Sequence, residues 1–371
     1  EANLAEYSMG ELIMDKRTTN ICKGIAIILM YFHHLYYSLD TIQQYEIFYL
    51  PFTMNTIVWV AEVCKVCVSI FVFLTGYGYV MSGKSGKEDI KTKSVRRYFR
   101  LMFGFWFIFI VAQLTSGLGR SRIDVYGGDL FQRISYFIID GLGLANCFGT
   151  PTFNATWWYV PYAILLIFVT PFIIKIVQNC GWISIIVAIM LPKFLLGGDS
   201  VEITFWRYLL ALVLGIYCAE FSVFQRISAF VKKKKLIVPE LLILSIGGII
   251  LCVIRQKIGM YYVVEPILAM VICYITYGYI SRLRGLRAGL SFLGEHSMNL
   301  FLMHTFIKAY YFADFTYSFK YWWLILLVLI ADTLAISILI EYLKKLIRYN
   351  RVEKMANEKV LKILSFIEYK K

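Results

Sequence analysis

Apolar residues in this chain come in long runs broken by short polar segments. Ten runs can be drawn, at 21–39, 55–81, 98–116, 156–178, 181–198, 204–223, 236–254, 260–280, 290–312 and 321–343. Crossing hydrocarbon takes about 20 helical residues, and the runs cluster around that length. The pattern predicts an all-α, polytopic membrane protein, a bundle of about ten transmembrane helices. The fifth run is the least regular, because Pro192 and Lys193 interrupt it.

The polar segments carry a second signal. Lys84, Lys87, Lys91, Lys93, Arg96 and Arg97 lie between runs two and three, and Arg226 with Lys232 to Lys235 between six and seven. Arg282, Arg284 and Arg287 lie between eight and nine, and Lys344, Lys345, Arg348 and Arg351 follow run ten. The alternate segments are poor in cations or balanced. Residues 40–54 carry Asp40 and Glu46 without Lys or Arg, and 117–155 set Arg120, Arg122 and Arg133 against Asp124, Asp129 and Asp140. Such alternation puts the basic loops and both termini in the cytoplasm. Removing run five would flip everything after it and break the alternation.

Residues 117–155 form the longest outer segment, and a cap over the outer face is expected from them. The tail interleaves Val352, Val360, Leu361, Ile363, Leu364 and Ile367 with lysines, which predicts an amphipathic helix on the inner leaflet. The chain therefore reads as a transmembrane domain over 1–350 and a cytoplasmic amphipathic tail over 351–371. No cleavage-site pattern follows the first run, so no signal peptide is expected.

Composition agrees. The 371 residues are 59% hydrophobic and 17% charged, outside the range of soluble domains. A net charge of +14 could suit nucleic acid, but its dispersal over alternate loops argues against that partner. Most of the eight cysteines lie inside apolar runs. Cys64 and Cys67 have CxxC spacing without a second pair, so buried thiols are expected and no metal.

Candidate chemistry starts in run one. Lys23 and His34 are eleven positions apart, about three helical turns, so they share one face roughly 16 Å apart. A histidine inside a bilayer is costly and marks a functional site by default. Near mid-membrane or in the outer half, a neutral His34 imidazole could act as general base. His33 points about 100° away and is secondary. Arg97 and Arg100, three apart, share a face at the inner end of run three. They could hold phosphates through bidentate hydrogen bonds, or be ordinary cytoplasmic flanking charges; both readings stay open.

Other residues frame this pair. Gly76 and Gly78 suit close helix packing. Glu62 and Lys65 are expected to pair. Trp157 and Trp158 open run four as interfacial belt residues or as a sugar-stacking platform. His304 should lie near the depth of His34, where the two could meet across the bundle, with Glu295 a structural partner deeper in run nine.

Taken in order, these features resemble the acyltransferase-3 family of bacterial membrane O-acyltransferases. The resemblance is carried by Lys23-Gly24-Ile25-Ala26 with His34, the Phe-rich stretch from Phe71 to Tyr77, and Arg97 with Arg100. Thr156-Trp157-Trp158 and Leu293, Gly294, Ser297 and His304 complete it. It implies an acyl group, usually acetyl, taken from cytoplasmic acetyl-CoA and passed to a hydroxyl of a surface carbohydrate or its lipid-linked precursor. His34 would be the catalytic histidine, Lys23 its support or the donor's, and Arg97 and Arg100 the ligands of the coenzyme A phosphates. Trp157, Trp158 and His304 would face the acceptor. Lysine stands at 23 where the family more often has arginine, and it lacks the bidentate fork. The setting implied is the bacterial inner membrane. No extracytoplasmic hydrolase-like domain is expected, so the acyl group passes directly or through a partner protein, and a homo-oligomer is left open. The rival reading is a transporter or flippase of a lipid-linked sugar, without chemistry.

Overall fold

The structure, a computed structural model, describes residues 14–84, 86, 89–196 and 204–369. Lys87 and the end of run five at 197–198 lie outside the described residues, as does the side chain of Ile367. Helix α1 (Lys16–Tyr36) starts at Asp15, whose carboxylate accepts the Thr18 amide hydrogen at 2.7 Å. Helix α2 (Met54–Lys84) is continuous except for a 3-10 turn at Cys64–Val66. Helix α3 (Ile90–Leu114) is capped by Asp89, which accepts the amide and hydroxyl hydrogens of Thr92. Those bonds hold the Asp89 carboxyl below its ordinary range. Helix α4 (Leu130–Gly141) follows, then α5 (Ala155–Cys180), α6 (Ile183–Leu196), α7 (Thr204–Glu220) and α8 (Val223–Lys234). Next come α9 (Ile237–Ile258), α10 (Tyr261–Gly278), α11 (Arg284–Glu295) and α12 (Ser297–Thr305). A π-helical turn at Phe306–Tyr311 leads on to α13 (Trp322–Leu346) and α14 (Tyr349–Tyr369). There is no strand among the described residues, only an isolated bridge between Phe48 and Tyr321.

The all-α, polytopic architecture expected from hydropathy holds. Among the described residues, six helices are long and apolar enough to cross a membrane: α2, α3, α5, α9, α10 and α13. A seventh results if α7 and α8, bent by 60°, count as one. The bend sits at Ser222, whose φ of 52° is left-handed. There Lys84 donates to the carbonyls of Ala219 and Glu220, both at 2.9 Å, satisfying the open end of α7. Run one is a helix of 21 residues that falls short on apolarity, since Asn20, Lys23, His33 and His34 sit within it. Among the described residues, run five is a helix of 14 residues, Ile183–Leu196. Run nine is divided at His296 between α11 and α12, and again by the π turn.

The helices gather into two units. The first comprises Glu1–Tyr37, Asn55–Ser85 and Thr170–Ser297. In it α1 and α11 touch backbone to backbone. A Cβ on Gly24 would come within 2.1 Å of the Leu290 carbonyl oxygen, and one on Gly294 within 1.8 Å of that of Asn20. Only hydrogen fits there, as at close helix contacts in membranes. Asn20 also donates to Glu295 at 3.5 Å, the partner role expected of that residue. Gly76 likewise packs against the Leu212 carbonyl, whereas the space beside Gly78 is open.

The second unit comprises Ser38–Met54, Gly86–Val169 and Met298–Lys371. Its core is aromatic: Trp157 lies between Phe105, Phe109 and Phe306, with ring centroids 5.0, 5.8 and 5.8 Å away. A buried polar network joins α12 to α13, with Asn299 donating to Ser337 and Glu341 and Lys344 donating to Glu341 and Asn299. The amphipathic tail forms α14, anchored by the Tyr349 hydroxyl on the Phe103 carbonyl at 3.1 Å.

Candidate functional site

Lys23 and His34 stand on one unbroken helix, both half-buried, so their shared face follows from the eleven-residue spacing. His33 and His34 fall in the last turn of α1, which ends two residues later at Tyr36, so His34 marks the helix end rather than its middle.

His33 is held by a specific partner. It is 8% exposed and its Nδ1 lies 2.7 Å from the Ala61 carbonyl oxygen. A carbonyl only accepts, so Nδ1 carries the hydrogen and Nε2 keeps its lone pair. Ala61 stands just before the 3-10 turn of α2, where regular α pairing is interrupted. The His33 ring stacks on Tyr37 at 4.7 Å and meets His34 edge-on at 5.0 Å.

Within electrostatic reach of His33 lies a buried charge cluster. Glu265 on α10, fully buried, accepts from Arg207 on α7 at 2.9 Å and from Arg255 on α9 at 2.8 Å. Both guanidiniums also lie over the Tyr261 ring, at 4.9 and 4.8 Å. Two cations on one carboxylate leave a net positive charge in a region of low dielectric, so the cluster must be held by geometry. Sequence reasoning missed this trio. The signal was present, because each residue is an ionisable group within or beside an apolar run, the same criterion that picked out His34. Glu62, expected to pair with Lys65, instead accepts from Gln256 at 2.7 Å. That contact adds a polar link between α2 and α9.

The other candidates belong to the second unit. Arg97 is half-buried and Arg100 exposed at the basic end of α3. Trp157 and His304 are brought together. The Trp157 indole N–H and the Asn154 amide both donate to the Leu302 carbonyl, at 2.9 and 3.2 Å. The Thr156 and Thr305 hydroxyls pair at 3.1 Å, and Thr305 reaches His304 Nε2 at 3.4 Å. His304 is fully buried and donates through Nδ1 to the Phe301 carbonyl at 2.8 Å. Trp157 is 3% exposed and spends its one donor on this clamp, while Trp158 stays half-exposed beside Tyr159. His34 lies in the first unit and His304 in the second.

Among the described residues no group of three or more His, Cys, Asp or Glu side chains could hold a metal ion. Cys64 and Cys67 are buried free thiols.

A family model described as an acyltransferase domain, that of the acyltransferase-3 family, matches residues 19–342. The chain belongs to the acyltransferase-3 family. It is thus a multi-pass membrane acyltransferase, and the matched stretch takes in every candidate above, from Lys23 to His304. No curated protein and no solved structure matches the chain. At the end of α1 the His33 ring is pinned by the Ala61 carbonyl, and the half-buried His34 ring meets it edge-on.

Proposed function

We propose that this acyltransferase-3 protein is an O-acyltransferase of the bacterial inner membrane. It moves an acyl group, acetyl in the first instance, from cytoplasmic acetyl-CoA to a hydroxyl of a surface carbohydrate or its lipid-linked precursor. The observation that carries the reading is the histidine pair closing α1, with Lys23 three turns earlier on the His34 face, inside a domain of acyl-transfer chemistry.

In the reaction, His34 takes the proton of the acceptor hydroxyl as that oxygen attacks the thioester carbonyl. A C–O bond forms, the C–S bond breaks, and the proton returns to the coenzyme A sulfur. Base catalysis of this kind contributes about 10²–10⁴ in rate. Arg97 and Arg100 hold the donor's phosphates, the task for which a guanidinium fork is suited. Lys23 supplies a point charge that supports the base or the donor. Trp158, with part of its ring open, stacks the acceptor sugar, and Trp157 and His304 set the position of that segment. Ten spans with both termini and the tail of 351–371 in the cytoplasm complete the arrangement, with the oligomeric state and any relay partner open.

A transporter of lipid-linked sugars is the second reading, favoured by the 60° bend between α7 and α8 and the divided run of α11 and α12. Purified protein in vesicles separates the two. Release of coenzyme A thiol from acetyl-CoA, with acetyl appearing on a cell-envelope glycan fraction, is expected of the enzyme and not of a transporter. Near wild-type turnover by His34→Ala would reject the assignment of the base.

A further inference from the structure

Residues 117–155 read from sequence as a cap over the outer face, and within them α4 carries an apolar stripe suited to a greater depth. We infer that α4 lies inside the bilayer, in the leaflet remote from the basic end of α3, with lipid acyl chains against its apolar stripe.

The stripe comes first. Leu130, Phe131, Ile134, Phe137 and Ile138 recur at helical spacing and are 70%, 81%, 50%, 37% and 51% exposed. A patch of that kind on a soluble surface would be a liability. On a membrane protein it has a ready occupant, provided the helix stands at the right depth.

Depth follows from α3. Arg100 is the last basic residue of that helix, and its apolar part from there to Leu114 is about 21 Å long at 1.5 Å per residue. Hydrocarbon is about 30 Å thick, so α3 stops short of the far boundary and residues beyond Leu114 must complete the crossing. The contacts with α4 fall well below that end. Trp106 Nε1 donates to the Gly141 carbonyl at 2.9 Å, and the Phe109 ring lies 5.3 Å from that of Phe137. Trp106 and Phe109 are roughly 9 and 13 Å along the axis from Arg100, near the middle of the hydrocarbon. Ile110 and Leu114, 52% and 80% exposed, are the lipid-facing residues of α3 at and above that level. The α4 stripe extends this surface in the same leaflet.

Several polar groups of α4 find partners within the protein, as lipid favours, though Arg133 Nε has none among the described residues. Ser135 donates to the Phe131 carbonyl at 2.9 Å, Gln132 to the Tyr136 hydroxyl at 2.9 Å and Arg133 to the Gly128 carbonyl at 3.1 Å. Asp140, 1% exposed, accepts from the Tyr126 and Thr152 hydroxyls, both at 2.8 Å, and from the Phe153 amide at 2.7 Å. Asp129 and Arg133, toward the other end of α4, are where the helix rises to the headgroups.

The test uses the full wild-type chain in vesicles of phosphatidylethanolamine and phosphatidylglycerol, doped with a lipid carrying a diazirine midway along one acyl chain. After irradiation, adducts are mapped by peptide mass spectrometry. Phe131, Ile134 or Ile138 should carry adducts at yields within about threefold of Ile110 and Leu114, since all face the same chains. Yields about tenfold below those of α3 would overturn the inference, whether water or a second copy of the chain covers the stripe. A second measurement compares Ile138→Cys with Asp124→Cys in the same vesicles, using a charged maleimide. Labelling of Ile138→Cys should be slower by about tenfold, and equal rates would overturn the embedding. Neither readout depends on acyl transfer.

Discussion

The Nδ1 hydrogen of His33 is spent on the carbonyl of Ala61, 2.7 Å away on a different helix. This bond fixes the ring and, through it, the edge that His34 meets. His33→Ala should destabilise the protein by about 1 kcal/mol through the lost hydrogen bond, and His33→Asn should recover much of that. Thermal unfolding in detergent measures both. If His34 is the base, His34→Ala should lower turnover by about 10²-fold or more, and His33→Ala by less.

The Arg207–Glu265–Arg255 cluster predicts an order of costs. Glu265→Gln leaves two buried guanidiniums without their anion and should cost about 3–5 kcal/mol. Arg207→Met should cost less, because Arg255 still balances the carboxylate. Unfolding of both single variants and the double variant gives the coupling, and an Arg207→Met variant less stable than Glu265→Gln would contradict the geometry.

Backbone contact at Gly24 makes it intolerant of even a methyl group. Gly24→Ala would drive a Cβ to within 2.1 Å of the Leu290 carbonyl oxygen and should cost about 1–3 kcal/mol. Gly78→Ala meets open space and should be neutral or slightly stabilising. The two melting temperatures, side by side, decide the matter.

The two adjacent tryptophans should separate by phenotype. Trp157→Phe keeps the ring and loses the donor to Leu302, which should cost about 1 kcal/mol of stability. Trp158→Ala should leave stability nearly unchanged and raise the KM for the glycan acceptor, if that ring is the stacking platform. Acceptor titrations at saturating acetyl-CoA distinguish them.

The Asp89 cap should show in hydrogen exchange. Its carboxyl is held below the unfolded value of 3.8 by Thr92, so the cap contributes stability above about pH 4. That contribution fades as the pH falls through the lowered folded value. Amide protection in the first turn of α3 should therefore drop under acid in the wild type, and Asp89→Ala should show the low protection at every pH.

How far residues alone reveal this protein depends on what each signal measures. A hydropathy window reports continuous apolar helix, so α2, α3, α5, α9, α10 and α13 are legible. It gives less where polar residues or a break enter, as with the lower apolarity of α1 around Lys23 and His34, the bend at Ser222 and the divided run of α11 and α12. The Lys23–His34 register is legible because one helix suffices to set it. The hydrogen bond of His33 to Ala61 and the convergence of Arg207 on Glu265 join distant stretches, and periodicity carries no information about either. Trp157 illustrates the other limit. Aromatic residues at the start of a span look alike in sequence, and only the position of the Leu302 carbonyl separates a clamp from an open ring.

Each unit is assembled from three separate stretches of chain, and this has a consequence for biosynthesis. The face of α1 around Gly24 meets its partner only when Gly294 has been made, about 270 residues later, on the order of tens of seconds at ribosomal speed. Until then the Gly24 face of this half-polar helix waits without α11, while its His33 end can already pair with Ala61 of α2. An insertase or other membrane chaperone that shelters this segment during translation is the provision such a topology calls for.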